Sequence, residues 1–174
     1  MQIVRPFFLL LAVCWLTGCD SSTPPATPPL ATAPTPPPEP TQAQPKLSTI
    51  KLFIGAETLD TEQALTEVQE MTGMMYRTNI QDSDSMIFVL PVPQRASFWM
   101  KNCPESISAA YISADGVIRE IHHLEKNDTN AVLSATDNIQ YVLETSDGWF
   151  DRHHVTAGMA ITTERGSLSH TYFP

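Results

Sequence analysis

The chain has 174 residues, enough for one domain of ordinary size, and ten of its fifteen prolines fall between Pro24 and Pro45, which divides it into a tail and a domain. Its formal net charge is -9, or -10 without Arg5, and a surface of that sign repels phosphate backbones, which excludes nucleic acid as the expected partner. The same charge offers no polybasic attraction to anionic lipid, so membrane association has to come through a covalent anchor.

Arg5 supplies a short positive start and Phe7–Val13 an apolar run too short to span a bilayer, the pattern of a signal peptide over residues 1–18. The run ends in Leu16-Thr17-Gly18-Cys19, which resembles the lipobox of bacterial lipoproteins, with Cys19 as the acceptor of diacylglycerol and palmitate-type chains. The other reading is an ordinary cleaved signal with an incidental cysteine. Two or three acyl chains on one cysteine give stable anchoring where a single chain is marginal. Asp20 resembles the enterobacterial signal for retention in the inner membrane, a rule that does not extend to all bacteria, so inner and outer membranes both stay open. The implied place is the extracytoplasmic side of the cell envelope.

The segment 19–46 consists mostly of Pro, Thr, Ala, Gln and Ser and lacks the apolar surface needed to fold. Polyproline II at about 3.1 Å per residue would let some ~25 residues reach up to roughly 80 Å from a bilayer. Cys14 and Cys19 belong to the leader and anchor, which leaves Cys103 alone in the domain, 47–174, where a lone thiol closes no internal bridge.

Within the domain, Ile50–Ile54 reads as an opening strand closed by Gly55. Asp60 and Gln63 make a capping-box-like start, and Ala64, Leu65, Val68 and Met71 recur at helical spacing before Gly73, predicting an amphipathic helix from about Thr61 to Thr72. Met86–Leu90 is a continuous apolar run typical of a strand buried on both faces, and Pro91-Val92-Pro93 is expected to end it. Phe98–Asn102 is expected as a central strand, with Phe98 and Met100 on one face and Trp99 and Lys101 on the other. Asp115-Gly116 between Ile107–Ser113 and Val117–Leu124 is a hairpin signal. Tyr141–Glu144 and Gly158–Thr162 are the remaining strands, and Asp147-Gly148-Trp149-Phe150 a turn entering a short helix. Many short strands and one helix predict a mainly β domain, a β-sandwich of jelly-roll type or a flattened barrel.

The ordered strings Gly73-Met74-Met75-Tyr76-Arg77, Met86-Ile87-Phe88, Phe98-Trp99-Met100-Lys101-Asn102, Asp115-Gly116-Val117-Ile118 and Val142-Leu143-Glu144 resemble the bacterial and archaeal family called domain of unknown function 192. The resemblance runs from about Ile50 to Thr163 and implies a compact, mainly β, often exported fold; it implies no reaction. Two positions depart from the family pattern: Ser108 stands where the family has Asp, and Gly158-Met159 where it favours Gly-Asp.

Trp99, Lys101 and Asn102 form the best candidate binding patch: a stacking face, a cation and an amide, with Arg77 as a second cation. The structural alternative is that Trp99 packs and Lys-Asn ends a strand. Cys103 is the one candidate nucleophile, and it needs a lowered pKa to act. His122-His123 and His153-His154 suggest metal, but strand neighbours point to opposite faces, so a site needs one histidine of each pair with Glu120 or Asp151. The expectation is no metal and no cofactor. The function expected is a non-catalytic binding or accessory module for a small molecule or an envelope protein; the alternative is an envelope enzyme acting on a sugar or peptide through Trp99–Cys103.

Overall fold

Strand β1 (Thr49–Ile54) turns at Gly55 into β2 (Glu57–Ala64), which pairs with it antiparallel over six residue pairs. A computed structural model describes residues 37–174; the leader, Cys14, Cys19 and the first part of the proline-rich segment lie outside the described residues. After β2, the short helix α1 (Glu67–Thr72) leads to β3 (Ser85–Gln94), which runs parallel to β2. Next come β4 (Ser97–Phe98), β5 (Ile107–Ser113), β6 (Ile118–Leu124), β7 (Val132–Leu133) and β8 (Ile139–Ser146). Helix α2 (Trp149–Arg152), β9 (Ile161–Thr163), β10 (Gly166–Ser167) and α3 (Leu168–Tyr172) complete the chain. Eight strands form one curled sheet, a half-barrel, in the order β10-β9-β1-β2-β3-β8-β5-β6, and β4 pairs with β7 apart from it. The domain is mainly β, as the spacing of short strands predicts.

The sheet is covered on both faces, so alternate residues of its central strands enter two different clusters. Ile87, Ala110, Ile112, Tyr141 and Leu143 pack with Trp149, Phe150 and Leu168 from the two C-terminal helices. Met86, Phe88, Ala109, Tyr111 and Val142 face the other way, against Met74, Met75, Met100 and Cys103. Strand β8 lies between β3 and β5, and all eight of its residues are buried. The Asp115-Gly116 hairpin forms as expected, with Gly116 at φ 82° and Ile107 paired to Leu124.

Three local expectations are corrected. Asp60 and Gln63 cap no helix, because Glu57–Ala64 is strand β2, hydrogen-bonded to β1 on one side and β3 on the other. The helix starts at Glu67, and its capping box is Thr66 with Gln69. Pairing on both edges satisfies the β2 backbone and buries Thr61 against the Ser85 hydroxyl at 2.9 Å, which outweighs the helical spacing. Of that stripe only Ala64 is core; Leu65 and Val68 are 47% and 54% exposed. Pro91 and Pro93 do not end β3, which continues exposed to Gln94 through a register shift after Val89. Phe98–Asn102 is no central strand; only Ser97–Phe98 pairs, with β7, and the chain then turns.

Beside Glu144 on this face runs a cross-strand row of Glu62, Met86 and Ala109. The Glu62 side chain is 4% exposed, and Arg77 grips it bidentately at 2.6 and 2.9 Å. Burial pushes the Glu62 carboxyl up, but the hydrogen bonds from Arg77 and from the Leu47 N–H outweigh it and hold the pKa below the usual range. Replacing Arg77 by Ala leaves a buried carboxylate alone and is expected to cost about 3–5 kcal/mol in urea unfolding. Adding Glu62→Gln should recover part of that loss; an unchanged loss in the double variant would mean the damage is packing, not stranded charge.

Candidate functional site: a cavity above Glu144

Glu144 lies on β8, which runs between β3 and β5. Its neighbours across the strands are Met86 on β3 and Ala109 on β5, and it is 4% exposed. It lines a cavity of about 220 Å³ with Phe88, Leu90, Phe98, Trp99 and Cys103. The wall opposite the sheet is the end of α1 and the adjoining Gly73-Met74-Met75 segment. Gly73 is required there: its φ is 46°, and a Cβ would stand 3.2 Å from the Phe88 ring. Phe88 and Phe98 meet edge to face at 5.1 Å, and Phe98 tilts onto Tyr111 at 6.0 Å.

Burial sets the electrostatics of the cavity. It raises Glu144 to about 8 against the opposing charge of Arg77, and no hydrogen bond from another described residue holds the carboxylate. Burial, with Glu144 adding to it, pushes the Cys103 thiol up to about 12. Burial and the nearby Glu67 also raise Glu70, which lies on the same cavity. At neutral pH Cys103 is therefore a thiol and Glu144 is mostly a carboxylic acid. A nucleophilic cysteine needs the reverse, a lowered pKa.

The sequence-derived patch divides between two places. Trp99 lies on the cavity, 47% exposed, and the Lys101 ammonium sits 5.5 Å from its ring centroid. Lys101 also pairs with Glu39 at 2.6 Å, and the Asn102 amide donates to the same carboxylate at 3.4 Å. Glu39 comes from the proline-rich segment, whose described end lies on the domain: the Tyr76 hydroxyl donates to the Pro40 carbonyl, and Gln44 donates to the Gly73 carbonyl at 2.9 Å. Asn102 takes φ 60° in the turn closed by the Cys103 N–H on the Met100 carbonyl, a backbone role that asparagine tolerates well. Arg77 is committed to Glu62 and lines a separate recess with Gln44 and Tyr76.

The other sequence candidates lie away from this cavity. Ser108 accepts the Gly148 N–H at 2.9 Å at the start of α2, and Met159 packs on the opposite cluster. His122 pairs with Glu120 at 3.0 Å, His123 with Asp147 at 2.7 Å, and His153 stacks on Trp149 at 4.3 Å. Among the described residues no group of three His, Cys, Asp or Glu side chains is placed to hold a metal ion. Sequence reading missed Glu144 as a site residue: the apolar string Tyr141-Val142-Leu143 marks a strand, but the burial of the carboxyl that ends it depends on the covering of both sheet faces.

A group whose folded pKa is raised contributes stability that is lost as pH rises from the unfolded value of about 4.3 toward the folded value of about 8. Glu144→Gln removes that ionisation. The variant is expected to melt above the parent at pH 8 and beyond, with the gap closing below about pH 4. Melting curves across this range check it, and parallel pH profiles would show that Glu144 is hydrated rather than buried.

The family model for domain of unknown function 192, described as an uncharacterized ACR, matches residues 50–163. A protein of unknown function from Novosphingobium aromaticivorans DSM 12444 shares the fold at TM-score 0.63 and 24% identity, over 66% of this chain and 85% of that one. A Sinorhizobium meliloti 1021 protein provisionally described as a transcription regulator does so at TM-score 0.65 and 24% identity, over 70% of this chain and 98% of that one. No curated protein matches the sequence. Those two likenesses carry the fold alone, whereas the family match spans nearly the whole domain, and the chain belongs to the domain of unknown function 192 family.

Proposed function

We propose that this protein is a non-catalytic binding module of the bacterial envelope, held to the membrane by acyl chains on Cys19, that receives a small molecule in the cavity above Glu144. One observation carries the binding reading: a carboxyl 4% exposed faces a cavity with no hydrogen-bond partner among the described residues. Taking a carboxyl out of bulk water with no hydrogen bond from another described residue is costly. A ligand that satisfies the carboxyl repays that cost. The protonated, buried state of Cys103 argues against the enzyme alternative at Trp99–Cys103. Anchoring is supported by the leader, by the Leu16–Cys19 string and by a negative charge that leaves no other route to a lipid surface.

Two measurements test the two halves of this reading. Cells fed labelled palmitate should incorporate it into the full-length chain and retain the chain in the membrane fraction, and Cys19→Ser should abolish both; an unlabelled parent refutes the anchor. In a thermal-shift screen, a ligand at about 100 times its dissociation constant stabilises by roughly 2.7 kcal/mol. For a domain of this size that raises the melting point by several degrees. The shift should shrink in Trp99→Ala at the cavity and persist unchanged in Lys101→Ala, whose charge is already paired with Glu39. Loss in Lys101→Ala alone would move the site to the Trp99–Asn102 surface.

A further inference from the structure

We infer that the ligand of this cavity is a small organic cation, an alkylammonium whose charged head meets Glu144 and whose apolar part lies against Phe88, Phe98 and Trp99. The inference rests on the binding reading above and names the chemistry of that site. Its first support is the charge inventory. Among the described residues, the cavity is lined by two carboxyl groups, Glu144 and Glu70, and by no basic side chain. The nearest cations are already committed, Arg77 to Glu62 at 2.6 Å and Lys101 to Glu39 at 2.6 Å. An anion would therefore meet like charge, or two acids, with nothing to compensate it.

The walls are the second support. Aromatic walls suit the alkyl part of such a ligand, and the Trp99 ring already has the Lys101 ammonium 5.5 Å from its centroid, so the charged head belongs at Glu144. Phe88, Phe98 and Trp99 all lie on this cavity, beside the thioether-bearing Met71, Met74 and Met75, which adapt to an irregular alkyl shape. Size is the third. A cavity of about 150 Å³ holds benzene, so 220 Å³ accepts a ligand of comparable or somewhat larger bulk.

The groups facing Glu144 are Arg77 after α1, Cys103 after β4, Tyr111 on β5 and Glu70 on α1. Cys103 and Tyr111 are both raised by burial and stay neutral through the physiological range, and Arg77 stays charged throughout. Glu70 is only partly buried whereas Glu144 is 4% exposed, so Glu144 is the group whose proton a bound cation displaces. The ammonium binds the carboxylate form, so each binding event at neutral pH drives one proton from Glu144 into solvent. Affinity should then rise close to tenfold per pH unit below the free pKa of about 8 and level off above it.

The test titrates the full-length, detergent-solubilised protein with butylammonium and choline, and with n-pentanol and butyrate as neutral and anionic counterparts of similar size. Calorimetry in buffers of different ionisation enthalpy counts protons. The expected result is binding of the cations, release of close to one proton at neutral pH, and affinity that increases from pH 6 to pH 8. Glu144→Gln should abolish proton release and weaken cation binding at least tenfold; Trp99→Ala, at an exposed position, should weaken it several-fold in a folded protein. Binding of n-pentanol or butyrate in preference to the cations, or cation binding with no proton release, overturns the ammonium inference and leaves the cavity as a binding site. Silence from all four probes in a folded protein counts against both.

Discussion

A sheet buried on both faces leaves its middle strands no wet side on which to place a polar residue. Strand β8 runs between β3 and β5 with every residue buried, so whichever side Glu144 points, it points into protein. The chain meets this constraint in two ways along one row. Glu62 receives a two-pronged guanidinium and the Leu47 N–H, and its ionised form is favoured. Glu144, two strands over, receives only the distant charge of Arg77 and a cavity, and its protonated form is favoured. The same side-chain chemistry is structural in one position and available for binding in the other.

The cavity exists because the residues above Glu144 cannot close down on it. Helix α1 is six residues long and buries only Thr72, so the Gly73-Met74-Met75 segment, not a packed helix face, ties it to the domain. Gly73 lets the backbone pass within contact of Phe88, and Met74 and Met75 then turn into the core. On the other side the chain leaves β4 in a turn held by the Met100 N–H on the Asp128 carbonyl and the Asn127 N–H on the Cys103 carbonyl. Trp99 is left projecting between two anchored residues, Phe98 and Met100. The site is thus assembled from a strand floor and two irregular walls, each pinned by backbone hydrogen bonds.

The described end of the proline-rich segment adds a third layer. Glu39, Pro40 and Gln44 contact Lys101, Tyr76 and the carbonyls at the end of α1. Composition alone makes this stretch a spacer, and nothing in its own residues predicts that it lies on the domain. The partners are supplied by the domain: a lysine and an amide that Glu39 satisfies, and the Gln69 and Gly73 carbonyls at the end of α1, to which Gln44 donates.

Local signals were legible without a structure. The Asp115-Gly116 hairpin, the strands at Ile50–Ile54 and Met86–Leu90 and the turn into Trp149 all depend on neighbours in sequence, and so does the family, whose strings are contiguous. What only the tertiary structure decided depends on partners far along the chain. Thr61 and Glu62 are strand because β1 and β3 flank them, not helix as their own spacing suggests. Cys103 is a protonated thiol because the fold buries it. Glu144 is a buried acid because segments distant in sequence cover both faces of the sheet around β8. Sequence periodicity reports which residues share a face; it does not report what covers that face, and desolvation, which sets the chemistry of this site, is a property of the cover.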